Sequence, residues 1–178
     1  MRDSKKIVGI VGLLILLANV AIFFWPTPVR QDLRNLVRHS EILEENQVAI
    51  EKEVESWRAS LQGVNGQATN AQHSINTLLS DFQYGVNNII IPAVDNSIVI
   101  LELTELSTPE VIAVRDQYIN SLELYRDGVE KVLDALKTND DEMIKDAEDI
   151  MNQAVSEAEK SASEFKALAR EHGFIYFD

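Results

Sequence analysis

The chain has 178 residues, with 29 acidic side chains against 16 basic ones and no cysteine. Arg2, Asp3, Lys5 and Lys6 are the only charges in the first 25 residues, so the remainder carries a net charge of −15; such a surface repels nucleic acid and anionic headgroups and excludes both as ligands of the soluble part. Without cysteine there is no disulfide, thiolate metal site or thiol nucleophile, and the roughly 150 residues outside the apolar N-terminus suit one domain with its own core.

Residues 1–6 form a short basic tail. Residues 7–25 read IVGIVGLLILLANVAIFFW, with Asn19 the single polar side chain. As a helix they extend ~28 Å, close to the hydrocarbon thickness of a bilayer. Phe23, Phe24 and Trp25 suit the membrane–water interface, and Pro26 and Pro28 stop the helix within a linker over 26–29. A cleaved signal peptide has a shorter apolar run that ends in small residues, so the segment reads as a retained single-pass anchor. Its basic flank is denser before the span than after it, where Arg30, Arg34 and Arg38 follow; this favours the N-terminus inside and the domain outside the cytoplasm. Asn19 is a candidate contact to another membrane helix.

From Leu33 apolar residues recur every three or four positions, through Leu36, Leu43, Ile50, Val54, Trp57 and Leu61, with Ser40 and Gln47 in two polar slots. This heptad-like stripe predicts an amphipathic helix. Gly63 and the Asn65–Gly66 pair punctuate it, although the spacing continues through Ile75, Leu78 and Phe82, so one long helix over 30–90 stays open as the alternative. Residues 98–103 alone suit a strand; the surrounding helical spacing outweighs that. Pro92 predicts a kink or a helix end at Ile91. Ser107, Thr108, Pro109 and Glu110 open a further helix, and Asn139 with Glu142 resembles a capping box for the last one, which ends at Gly173.

The expected fold is therefore all-α: a single N-terminal transmembrane helix, then an elongated antiparallel helical bundle over 30–173. Four helices are favoured, with three and a long first helix as the alternative. Four alternating helices return the C-terminus to the membrane-proximal end. The aromatic tail over 174–178, with Phe174, Ile175, Tyr176 and Phe177, is then a candidate contact to the bundle base, the membrane interface or a partner.

Chemistry-bearing patterns are sparse. His39, His73 and His172 fall on three different segments, none in a metal-ligand pair spacing, so no catalytic, cofactor-binding or metal residues are assigned. The acids from Asp140 to Asp149 lack the glycine and spacing of a calcium loop and read as a solvated helix start. Tyr118 and Tyr125, seven apart on one helix face, and Trp57 are the candidates for lining a ligand pocket between helices.

The layout resembles small bacterial exported helical-bundle proteins with one N-terminal anchor. It is also similar to the helical sensor domain of chemotaxis receptors, although neither a second membrane segment nor a signalling region follows here. Patterning carries both likenesses, so no residue roles are transferred. The expected function is a membrane-anchored, non-enzymatic accessory or assembly subunit of a membrane complex. It would work through helical contacts with other membrane or extracytoplasmic proteins, or with itself. The alternative is an anchored extracytoplasmic small-ligand-binding or sensor domain.

Overall fold

The computed structural model describes residues 27–64, 71–138 and 140–173. The expected anchor over 7–25, with Asn19, and the tail residues Phe174, Ile175, Tyr176 and Phe177 lie outside them. The described residues are helical throughout, apart from short connections, and contain no strand. Among the described residues there are six α-helices: α1 Pro28–Arg38, α2 Ser40–Val64, α3 Ala71–Gly85, α4 Ile91–Glu102, α5 Pro109–Thr138 and α6 Asp141–Glu171, with a π-helical turn Val86–Ile90 joining α3 to α4. The described residues thus form four helical stretches, α1–α2, α3–α4, α5 and α6.

Local chemistry sets the ends. Thr27 caps α1 by accepting from the Arg30 amide, and Pro28 supplies a first helical position that needs no N–H. His39 interrupts the first stretch for one residue only, because the Leu43 amide already donates back to the His39 carbonyl. Asp140, one residue beyond the expected Asn139, caps α6 by accepting from the amides of Glu142 and Met143. Gly173 closes the last helix with a φ of 76°, a conformation that costs glycine little.

Pro92 neither ends the helix nor leaves it broken. A proline ring clashes with the carbonyl four residues back, and its missing N–H removes a helical bond. Here the π turn widens the ladder just before it, and the Ile91 amide donates to the Val86 carbonyl five residues back. The stretch over 77–102 is long and apolar enough to cross a membrane by length and composition. Its apolar face also supplies much of the core, where Val86, Ile90, Val94, Ile98 and Leu101 are buried.

Two clusters hold the stretches together. Leu33, Leu36 and Leu43 meet Leu101, Val111, Val114, Tyr118 and Phe165 in one; Val86, Ile90, Val94 and Ile98 meet Val129 and Leu133 in the other, flanked by Trp57, Phe82 and Met151. All four stretches contribute to both. Trp57 and Phe82 have ring centroids 4.3 Å apart. In one continuous helix a separation of 25 residues spans ~37 Å, so the chain turns back between them and the long-first-helix alternative does not fit. At the opposite end, Asn35 Nδ2 donates to the Glu105 carbonyl at 3.0 Å and Arg30 Nε donates to the His172 carbonyl at 2.6 Å. The last described residues therefore lie beside the first ones.

α5 and α6 make the most extensive pairing. Ala147, Ala154, Ala162 and Ala169 are buried along α6 and let the helices approach closely. At Gly128 the approach is tight enough that an added Cβ would lie 2.5 Å from Met151 Cγ.

Candidate functional site

The first and last stretches make little direct contact away from their shared end. Between them a cleft of about 80 Å³ opens into the domain. Leu43, Gln47, Ile50 and Glu51 of α2 form one wall; Ala154, Val155 and Ala158 of α6 form the other. The floor comes from Val94 and Ser97 of α4 and from Tyr118, Ser121, Leu122 and Tyr125 of α5. The alanines leave room that larger side chains would fill, and the lining is predominantly apolar.

Its polar groups differ in what they have left to offer. Ser97 Oγ donates to the Ala93 carbonyl at 2.9 Å and accepts from Asn46 Nδ2 at 2.9 Å. Ser121 Oγ donates to the Tyr118 carbonyl at 2.6 Å. Gln47 Nε2 donates to Glu51 Oε1 at the rim. The phenol oxygens of Tyr118 and Tyr125, by contrast, have no hydrogen-bond partner among the described residues. Nor are they sealed in: among the described residues the fully buried side-chain atoms lacking a partner are Arg34 Nε and Trp57 Nε1. Burial raises the pKa of both phenols, that of Tyr125 to about 12, so each stays a neutral O–H donor at physiological pH.

Two of the three residues singled out from sequence therefore meet in this cleft, brought together by their seven-residue spacing on α5. Trp57 does not line it. Its position on α2 turns it toward Phe82 at the other end of the domain, where its ring packs with the second core cluster. Gln47, which interrupts the apolar stripe of α2, does line the cleft, and the polar slot was the visible signal for it. Ser97 and Ser121 gave no such signal.

A second polar cluster, unmarked in the sequence, ties the start of α1 to the connection before α5. Asp32 is 3% exposed. One of its carboxylate oxygens, Oδ2, accepts from the amides of Ser107 and Thr108 at 2.7 and 2.6 Å and from Thr108 Oγ1 at 2.7 Å. The Ser107 hydroxyl adds a longer bond at 3.2 Å. Burial alone would raise this carboxyl's pKa, but the hydrogen bonds from Thr108 and Ser107 outweigh it and hold the pKa below the ordinary value. Thr108, one of the four residues read as opening this helix, thus donates its hydroxyl to Asp32, and the site is a structural clasp.

His39 joins α1 to α2, His73 lies in α3 and His172 follows α6. Among the described residues no three His, Asp or Glu side chains converge as a metal-binding set. No protein-family model matches the chain, and no curated protein or solved structure matches it either.

Proposed function

We propose that the chain is a membrane-anchored, non-enzymatic binding protein whose antiparallel helical bundle takes a small, neutral, largely apolar ligand in the cleft between α2 and α6. The observation that carries this reading is the pair of unpartnered phenols, Tyr118 and Tyr125, on the floor of an otherwise apolar opening. An uncharged ligand gains apolar burial there, and an acceptor atom on it satisfies a phenol O–H. A carboxylate ligand would leave a charge beside Glu51 with no cation in the lining. The apolar run over 7–25 supports a single N-terminal span, and the denser basic flank before it favours the bundle outside the cytoplasm.

Among the described residues both core clusters lie between 29 and 169, so a fragment starting at residue 27 carries all of them and suits a direct test. Thermal denaturation in the presence of n-hexanol or indole should show a saturable rise in Tm, because a ligand bound only by the folded state stabilises it. Ala158→Leu, which fills the cleft from the α6 side, should abolish the rise. Equal shifts in the two proteins, or none in either, would remove the cleft as the site.

The accessory-subunit reading rests on a different observation. Tyr84, Val99 and Leu103 are large apolar side chains left 65%, 48% and 76% exposed on the α3–α4 stretch. Extraction in mild detergent followed by identification of co-purifying proteins tests it. A full-length chain that purifies alone would leave it without support.

A further inference from the structure

Leu43 and Tyr118 line two cavities: the cleft between α2 and α6, and a second one of about 20 Å³ beside it. The second is bounded by Leu36, Val37 and Ser40 on one side and by Ser161 and Phe165 of α6 on the other. Apart from Val37 and Arg115, every side chain around it is buried, whereas Gln47, Glu51, Tyr125 and Val155 at the far end of the cleft are half-buried. The space therefore has an outer end and an inner end, with Leu43 and Tyr118 between them. The inner part is largely apolar, and its polar groups are occupied: Ser161 Oγ donates to the Val114 carbonyl at 2.9 Å, and the Arg115 guanidinium bonds Asp116 and the Thr104 carbonyl. The Ser40 hydroxyl can turn to a carbonyl of the preceding turn. Tyr118 is held less firmly. Its phenol has no partner among the described residues, so the ring turns aside without breaking a hydrogen bond.

We propose, resting on the reading of the cleft given above, that its ligand is a neutral, unbranched, single-chain amphiphile whose tail passes Tyr118 into the inner cavity while its polar end stays at Tyr125. Shape carries this. Along α5 the joined space runs from Val114 to Tyr125, ~16 Å at the helical rise. An extended chain advances ~1.2 Å per bond, so roughly a dozen carbons span it. A compact ligand fills the cleft and leaves the inner cavity empty; only a chain thin enough to pass between Leu43 and Tyr118 gains burial in both. The burial gradient sets its direction, because a polar end left at Tyr125 keeps access to water and to the phenol O–H, and the tail takes the buried end. A phospholipid fits neither the single passage nor a lining whose charged outer member is Glu51. The class is therefore a free long-chain alcohol, ketone or ester.

The chain has no cysteine, so one introduced thiol reports on one place. The full-length chain carrying Val155→Cys, at the outer end of the cleft, is equilibrated in membranes with butyl, hexyl, octyl or decyl disulfides and excess 2-mercaptoethanol. Each alkyl adduct is quantified by intact mass and divided by that on Glu130→Cys, an exposed position on α5 where partitioning into the membrane acts equally. The expected ratio is above one for butyl and rises roughly tenfold or more from hexyl to decyl, since each buried methylene adds up to about fourfold. Ser40→Leu fills the inner cavity and should abolish the hexyl-to-decyl rise while leaving the butyl ratio unchanged. Val37→Phe, from a half-buried position on the same wall, should do the same. A ratio that stops rising at hexyl, or a decyl rise that survives both substitutions, overturns the proposal and leaves the cleft standing. A butyl ratio of one removes the cleft together with the proposal.

Discussion

Asp32 ties α1 to the connection before α5. It is the acceptor for two amides and two hydroxyls, and replacing it leaves the Ser107 and Thr108 amides without a partner. Asp32→Ala should lower unfolding free energy by about 2–4 kcal/mol, measured by urea denaturation, since bonds to a charged acceptor and orphaned buried donors both count. The pH dependence follows from the direction of its shift. A carboxyl with a folded pKa below its unfolded value contributes stability that is present above the unfolded pKa and lost as pH falls through the folded one. Wild type should therefore lose stability on acidification below about pH 4, and Asp32→Asn should flatten that part of the curve. Tyr118 and Tyr125 act at the other extreme. Their raised pKa values favour the neutral form in the folded state, so stability falls as pH rises above about 10. Because neither phenol has a partner among the described residues, Tyr118→Phe and Tyr125→Phe should each change stability by less than about 1 kcal/mol while weakening ligand binding.

Among the elements, the α5–α6 pair is the tightest. Gly128→Leu drives a side chain into Met151 and toward the Ala147 carbonyl, and should cost about 1–3 kcal/mol or more, read as a lowered Tm. Much of this layer was legible in the sequence. The Ser107–Glu110 punctuation, the acidic start near residue 140 and the stop at Gly173 all depend on neighbours a few residues away, and each falls within a residue of its place. The one-residue break at His39 and the π turn before Pro92 were not legible, because several local geometries satisfy the same residues and tertiary packing selects among them. Asp32 was hidden for a related reason: its partners lie 75 and 76 residues away. No periodicity encodes such a contact.

At the scale of the whole molecule, two core clusters fasten four helical stretches but leave the first and last apart between their ends, and that gap is the cleft. The spacing of Tyr118 and Tyr125 indicated a shared face. It did not indicate that α2 would stand off from α6 and leave that face open, which depends on the small side chains of Ala154 and Ala158. Trp57 shows the limit of reading aromatic residues alone: it occupies the same apolar stripe as Leu43 and Ile50, yet lies beyond the cleft against Phe82. The α3–α4 stretch was present in the sequence as a charge-poor run, and the fold assigns its two faces, one to the core and one to the outside.

The chain has four tyrosines, so selective labelling gives a readable spectrum in which each ring reports its own surroundings. The most direct test of the cleft follows those rings by NMR while n-hexanol or indole is titrated into the soluble domain. Binding in the cleft predicts that Tyr118 and Tyr125 shift together along one saturation curve while exposed Tyr84 stays still. Unmoved Tyr118 and Tyr125 signals, or a shift of Tyr84 to the same extent, would contradict it.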